Sequence, residues 1–185
     1  MRIDLGDSPS ELEIFSKVFS DEVFQLMVTE MSCYARQEIN KLEAADEQPS
    51  QNSYVGKWFD VTVPEMKAFV AMILLMGIVK LPSYPLYWTA HNLLEFPALK
   101  KIMSRDRFLS ILQFLHISNN EENLPRDHLK HNRLNKIQQF SDLIVPLWQE
   151  AYYPGRELAI DETLIAFKGR THFKQYKPNN HTSGE

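Results

Sequence analysis

Two neighbouring carboxylates, Asp161 and Glu162, interrupt the otherwise apolar stretch Leu158–Phe167. A carboxylate that is buried without a partner costs several kcal/mol, so acidic residues in this setting need a physical reason. Metal binding is one, because Mg²⁺ prefers oxygen ligands and two ions about 4 Å apart clamp a phosphodiester in nucleases and polymerases. The alternative is structural: the pair faces solvent on an edge strand or binds Arg170. These two residues alone favour the structural interpretation.

Basic and aromatic residues are interleaved just after this pair. Between Leu164 and His181 the sequence has no carboxylate, and it contains four basic and three aromatic residues: Lys168, Arg170, Lys174, Lys177, Phe167, Phe173 and Tyr176. Such a segment suits a nucleic acid, since cations release counterions from the phosphates and rings stack on bases. A solvated basic segment is the alternative, and composition alone favours it.

A second basic group lies earlier in the chain. Lys100 and Lys101 come shortly before a predicted helix that begins with Arg105 and carries Arg107 in its first turn. These four side chains are candidates for contacts with DNA phosphates, with a solvated positive face as the alternative.

The charge of the chain changes sign along its length. Residues 1–60 hold five basic and twelve acidic residues, a net −7, whereas residues 61–185 hold fifteen and twelve, a net +3, which together give the −4 of the whole chain. The acidic first third opposes DNA binding unless it faces away from the nucleic acid.

A histidine pair, His128 and His131, has a spacing that can chelate zinc. The pair lies in the polar loop 119–134, which is a poor helix candidate, and the single cysteine of the chain, Cys33, is far away in the sequence. We therefore expect no metal site there.

Composition indicates a folded protein of one domain or slightly more, since 44% of the 185 residues are hydrophobic and 11% are aromatic. The longest apolar runs, such as Phe69–Met76, fall short of the ~18 residues that suggest a membrane span. No secretory signal is visible, and one cysteine forms neither an internal disulfide nor a cysteine-rich zinc module. The expected location is nuclear, with the cytoplasm as the alternative, and neither a membrane nor a small-molecule substrate is expected as a partner.

Hydrophobic spacing predicts helices over most of the chain. Ser10 and Glu13 have the form of a capping box before a short helix. Asp21 is placed to cap a longer helix that ends near Ala45, and a polar surface loop follows over residues 46–57.

A second capping-box candidate, Thr62 with Glu65, precedes a helix that is apolar nearly all round over residues 68–78. A helix of this kind is expected in the centre of the core. Residues 81–88 contain two prolines, so we expect an irregular loop whose aromatic residues pack down on the core.

The remaining helical segments are predicted at residues 99–103, at 105–116 with Ser104 as its cap, and at 134–151 with a kink at Pro146. The last of these has six apolar residues at helical spacing, which predicts one buried face: Ile137, Phe140, Ile144, Leu147, Trp148 and Ala151.

After Gly155 the pattern changes. Leu158–Phe167 is short, rich in branched residues and bounded by breakers at Pro154-Gly155 and Gly169, which predicts a β-strand. Residues 172–176 are expected to be its hairpin partner. A helical domain is thus followed by the opening of a domain that contains a sheet.

Three stretches share their order and their residues with a known family. They are Gly77–Trp88, Met103–His116 ending in Asn119-Asn120, and Leu158–Arg170 followed by Phe173–Pro178. Over roughly residues 10–180 the chain resembles the piggyBac transposases and the host proteins derived from them.

The resemblance implies a helical dimerisation and DNA-binding domain, followed by a ribonuclease H-like catalytic fold that opens at the first catalytic aspartate. It implies that Asp161 is the counterpart of that first metal ligand. Complete members cut and paste DNA with three aspartates and two divalent ions such as Mg²⁺, and they carry a cysteine-rich zinc-binding domain at the far end. The implied partners are DNA and either a second copy of the chain or a full-length transposase-related protein.

The sequence also departs from the family pattern. After Asp161 its only carboxylates are Glu162 and Glu185, so the second and third aspartates are missing, and one aspartate cannot hold two metals. We therefore expect Asp161 to be vestigial and to bind metal only if the site were completed, and we expect no cofactor in this chain. The strands that should pair with Leu158–Phe167 are missing too, which predicts a truncated product.

The predicted fold is mainly α: a helical dimerisation or DNA-binding type of domain, then the first strand or hairpin of an incomplete ribonuclease H-like domain. The expected divisions are a tail at 1–9, the helical domain at 10–154, the start of the catalytic (DDE/DDD) domain at 155–178 and a divergent tail at 179–185. The expected function is a catalytically inactive DNA-binding or protein-interaction module derived from a piggyBac element. The alternatives are a metal-dependent strand-transfer or nuclease component completed by another chain, and a truncated product without function.

Overall fold

The structure, a computed structural model, describes residues 9–47, 50, 53–90, 97–122, 124–125, 127–129, 131–132, 134–152 and 154–157. The chain divides into two compact units, residues 1–153 and 154–185. Among the described residues of the first unit there are six α-helices and two 3₁₀ helices: α1 (Glu11–Val18), α2 (Asp21–Ala44), α3 (Val63–Ile78), the 3₁₀ helix Tyr84–Trp88, α4 (Pro97–Ile102), α5 (Arg105–Phe114), the 3₁₀ helix Asn120–Glu122 and α6 (Asn135–Ala151).

The prediction of a mainly helical chain is confirmed over these residues. None of the helices that the structure describes is long and apolar enough to cross a membrane. The predicted strand at 158–167 and its hairpin partner at 172–176 lie outside the described residues.

The predicted capping box begins α1. The Ser10 backbone N–H donates to Glu13 Oε2 at 2.8 Å, and the Glu13 N–H donates to Ser10 Oγ at 3.3 Å, so two helix-end donors are satisfied reciprocally. The helix packs against α6, where the Trp148 indole donates to the Val18 carbonyl at 3.2 Å.

The start of α2 corrects one prediction. Ser20 is the N-cap, with an extended backbone, and Asp21 is the first helical residue. The Asp21 carboxylate pairs instead with Lys67 of α3. The Asp21 side chain was predicted to cap α2, and it instead forms an ion pair with a residue of another helix.

The core is formed where α2, α3 and α5 meet. Its fully buried side chains include three methionines and two phenylalanines: Met31, Met66, Met72, Phe69 and Phe108. Met103 and Phe114 belong to the same cluster and are nearly fully buried. Unbranched, flexible methionine side chains fill irregular space between packed helices.

The predicted central position of α3 is wrong for one of its faces. Met66, Phe69, Met72 and Met76 are buried, but Ile73, Leu74 and Ile78 are 39%, 53% and 80% exposed. Among the described elements, α2 packs most closely on α3 and covers one side. Apolar residues all round a helix allow each of its sides to be buried. Whether a side is buried depends on which other segments pack against it.

Residues 84–88 form a 3₁₀ helix, which corrects the prediction of an irregular loop. Pro85 lies in its first turn, where a missing N–H leaves no hydrogen bond unmade. The Tyr87 hydroxyl is buried at the end of α3, where it donates to the Val79 carbonyl at 2.5 Å and accepts from the Leu81 N–H at 3.0 Å. This aromatic residue does pack down on the core, as predicted, whereas Tyr84 is 48% exposed.

The last helix, α6, continues through Pro146 and buries fewer side chains than predicted. Only Ile144 among its described residues is buried, while Ile137 and Trp148 are 47% and 51% exposed. Among the described elements, α6 packs mainly against α1 and α2. The predicted apolar face of α6 is therefore wider than the area that its neighbouring helices bury.

Candidate nucleic-acid interface

Four of the basic residues predicted to contact DNA lie where α4 ends and α5 begins: Lys100, Lys101, Arg105 and Arg107. Buried Leu99 and Met103 anchor α4, and the Trp88 indole donates to the Met103 carbonyl at 2.9 Å. Ser104 then caps α5, because its hydroxyl accepts from the Arg107 N–H at 3.3 Å. These contacts hold the end of α4 and the start of α5 in place.

Two of the predicted basic side chains are exposed where α4 ends and α5 begins. Lys101 is exposed in the last turn of α4, where a cation interacts favourably with the helix dipole, and Lys100 beside it is half-buried. The Arg105 guanidinium is 53% exposed and pairs with Asp106 at 3.1 Å. An exposed pair of this kind contributes about 1 kcal/mol or less, so a DNA phosphate can compete for Arg105.

Arg107 is engaged inside the protein. Its side chain is 9% exposed, its Nε and Nη2 atoms donate to the Glu65 carboxylate at 2.6 and 2.7 Å, and its Nη1 donates to the Phe59 carbonyl at 3.0 Å. The guanidinium also lies 3.5 Å from the centre of the Phe59 ring. Because these contacts engage its hydrogen-bond donors, Arg107 positions α5. The proposed contacts with DNA phosphates therefore do not include it.

Sequence reasoning missed the partner of Arg107. Glu65 was assigned to a capping box, and Thr62 does accept from the Glu65 N–H at 3.4 Å. The Glu65 side chain, however, turns to Arg107, 42 residues further along the chain. No local spacing connects residues so far apart, so the sequence carries no signal of this pair.

The other predicted site residues lie outside the described residues. These are Asp161, Lys168, Arg170, Lys174 and Lys177. The vestigial metal-ligand role of Asp161 and the phosphate contacts of the basic segment stay predictions.

In the part of the chain that the structure describes, no three His, Cys, Asp or Glu side chains converge as a metal site. His131 Nδ1 lies 2.8 Å from the Leu124 carbonyl oxygen. Hydrogen bonds from Ser10, first of all from its backbone, lower the pKa of Glu13, and a hydrogen bond with Glu38 raises the pKa of Lys41. Both shifts arise from local partners on exposed helix surfaces.

The comparison with protein families defines the class. A family model described as Transposase IS4, a DDE transposase domain, matches residues 10–184, and the chain belongs to this family. Its relatives include two human proteins. PiggyBac transposable element-derived protein 3 is 28% identical over 170 residues, which cover 89% of this chain and 24% of the relative. PiggyBac transposable element-derived protein 5 is 26% identical over 158 residues, which cover 85% of this chain and 27% of the relative.

The resemblance to the piggyBac group is therefore confirmed. The chain spans about a quarter of the length of these two relatives. No solved structure matches the chain significantly.

Proposed function

We propose that the chain is a transposase-derived DNA-binding module. The observation that carries the proposal is the exposure of Lys101 and Arg105 on either side of the Ser104 cap, on helices that the core holds in place. Cations at fixed positions neutralise phosphates and release counterions. Membership in a DDE transposase family supports DNA as the polyanion. A nuclear location follows from the same proposal.

The contacts are expected to be with the DNA backbone rather than with bases. Phe108, Ile111 and Phe114 bury one face of α5, so this helix is held against the core along much of its length. Side chains at its first turn can reach phosphates, which position a protein on DNA without reading sequence. We therefore expect affinity with little sequence preference.

The residues that the structure describes contain no group of three His, Cys, Asp or Glu side chains that could hold a metal ion. The proposal therefore assigns a binding role to the chain and includes no metal-dependent step.

Fluorescence anisotropy with a labelled 30-base-pair duplex tests the DNA-binding proposal. Between 50 and 200 mM salt, log affinity should fall linearly with log salt concentration. The double variant Lys101→Gln/Arg105→Gln should bind about ten-fold or more weakly, and its salt slope should be smaller by about 2, one unit for each lost phosphate contact.

Lys136→Gln on α6 is the matched control, since it removes one exposed cation from another helix. Its effect should be clearly smaller than that of the double variant. No binding at 50 mM salt, or an unchanged slope in the double variant, would overturn the proposal. Mg²⁺-dependent cleavage of the duplex that Asp161→Ala abolishes would favour the enzymatic alternative.

A further inference from the structure

An apolar groove runs beside the exposed face of α3. It has a volume of about 690 Å³, and Ile73, Gly77, Lys80, Tyr84 and Leu112 are among the residues that line it. Ile73, which lines the groove, is 39% exposed, and Tyr84 on the facing segment is 48% exposed. An apolar groove with exposed apolar side chains in its wall is a feature of interaction sites.

Gly77 is a second observation at the same place. A glycine inside a helix costs about 1 kcal/mol relative to alanine. Nothing described lies within 4 Å of a Cβ atom built at Gly77, so packing within the described fold does not require a glycine. Its missing side chain leaves a notch in the wall of the groove, where the backbone of another segment can approach closely.

Charge indicates the chemistry of the occupant. Residues 68–79 contain no charged side chain, and Lys80 is the charged residue among those that line the groove. Lys80 is exposed at the end of α3. An occupant with an apolar face and a flanking carboxylate would therefore complement both the surface and its cation.

The occupant is expected to be a helix. The described residues contain no β-strand, so the groove offers no sheet edge to which an extended segment could add. An amphipathic helix satisfies its own backbone and needs only an apolar groove. We propose that the α3 groove docks an amphipathic helix of a partner protein, with apolar side chains over Ile73 and Gly77 and an acidic residue beside Lys80.

The probe is a helical 16-residue peptide with leucines at positions i, i+3, i+4 and i+7 and glutamates beside them. A matched peptide carries lysines in place of the glutamates. Fluorescence anisotropy should show the glutamate peptide binding at least about ten-fold more tightly than the lysine peptide, a difference of about 1.4 kcal/mol. Lys80→Glu should reverse this preference.

Gly77→Leu should weaken binding of the glutamate peptide about ten-fold or more, because the new side chain fills the notch. Its thermal unfolding midpoint should not fall, since leucine favours a helix over glycine. Ile137→Glu, which changes an exposed apolar residue of α6, is the control and should leave peptide binding unchanged. Duplex binding should be unchanged in Gly77→Leu, which separates this proposal from DNA binding.

Equal affinity of the two peptides, or full binding by Gly77→Leu, would overturn the proposal. So would sedimentation that shows the chain to be a dimer that Gly77→Leu dissociates, because a second copy would then cover the face.

Discussion

The Arg107 guanidinium donates two hydrogen bonds to the Glu65 carboxylate, with Nε–Oε1 and Nη2–Oε2 distances of 2.6 and 2.7 Å. This pair joins the first turn of α3 to the first turn of α5 and lies against the rings of Trp58 and Phe59. An arginine that sequence reasoning assigned to DNA thus connects two core helices.

Removal of one partner should destabilise the fold strongly. In Arg107→Leu the Glu65 carboxylate, 23% exposed, is left without its cation, and such losses cost about 3 kcal/mol. Urea unfolding measures the change. Arg36→Leu is the matched control, because its ion pair with Asp60 is 68% and 54% exposed and should contribute less than about 1 kcal/mol. Equal losses in the two variants would contradict a structural role of Arg107.

Two glycines should respond to alanine in opposite directions. At Gly56 a Cβ atom would lie 2.5 Å from the Ser50 carbonyl oxygen, so Gly56→Ala forces the backbone to move and should cost about 1–3 kcal/mol. At Gly77 a Cβ atom meets nothing described within 4 Å, so Gly77→Ala should gain about 1 kcal/mol through helix propensity. Thermal unfolding of both variants checks the prediction, and a gain at Gly56 would contradict it.

The end of α2 should be stabilised by a glycine at position 46. Asp46 has a φ of 55°, in the left-handed region, and its N–H donates to the Glu43 carbonyl at 3.1 Å while the Glu47 N–H donates to the Leu42 carbonyl at 3.0 Å. This is a Schellman ending, which favours glycine. Asp46→Gly should gain about 0.5–1 kcal/mol, measured by urea unfolding. Asp46→Ala keeps the Cβ strain, so a similar gain there would show that charge rather than conformation is responsible.

The capping box of α1 should make stability depend on pH. Hydrogen bonds from Ser10 lower the pKa of Glu13 below its usual 4.5. Because the folded pKa is the lower one, the stabilisation is present above pH 4.5 and is lost as pH falls through the folded value. Ser10→Ala should therefore lower the unfolding midpoint at pH 7, and the difference from the parent protein should shrink below pH 4.5. A difference that is constant over pH 3–7 would contradict a role of the Glu13 carboxylate.

Local spacing predicted the helix starts well where the cap and its partner are three residues apart. Ser10 with Glu13 and Ser104 with Arg107 form the expected bonds, because both partners belong to the same helical turn. Propensity and periodicity likewise predicted the mainly helical fold. Asp21 shows the limit of this reasoning, since Lys67 of another helix engages its carboxylate.

The sequence by itself determined the mainly helical character of the described part of the chain, and it carried the family resemblance. Tertiary structure alone decided that Arg107 binds Glu65, that Lys101 and Arg105 face solvent, and that Ile73, Leu74 and Ile78 of α3 are exposed. The physical reason is the separation along the chain of the residues that interact. Helix caps and hydrophobic periodicity depend on residues a few positions apart, whereas burial and ion pairing depend on which distant segments meet in the fold.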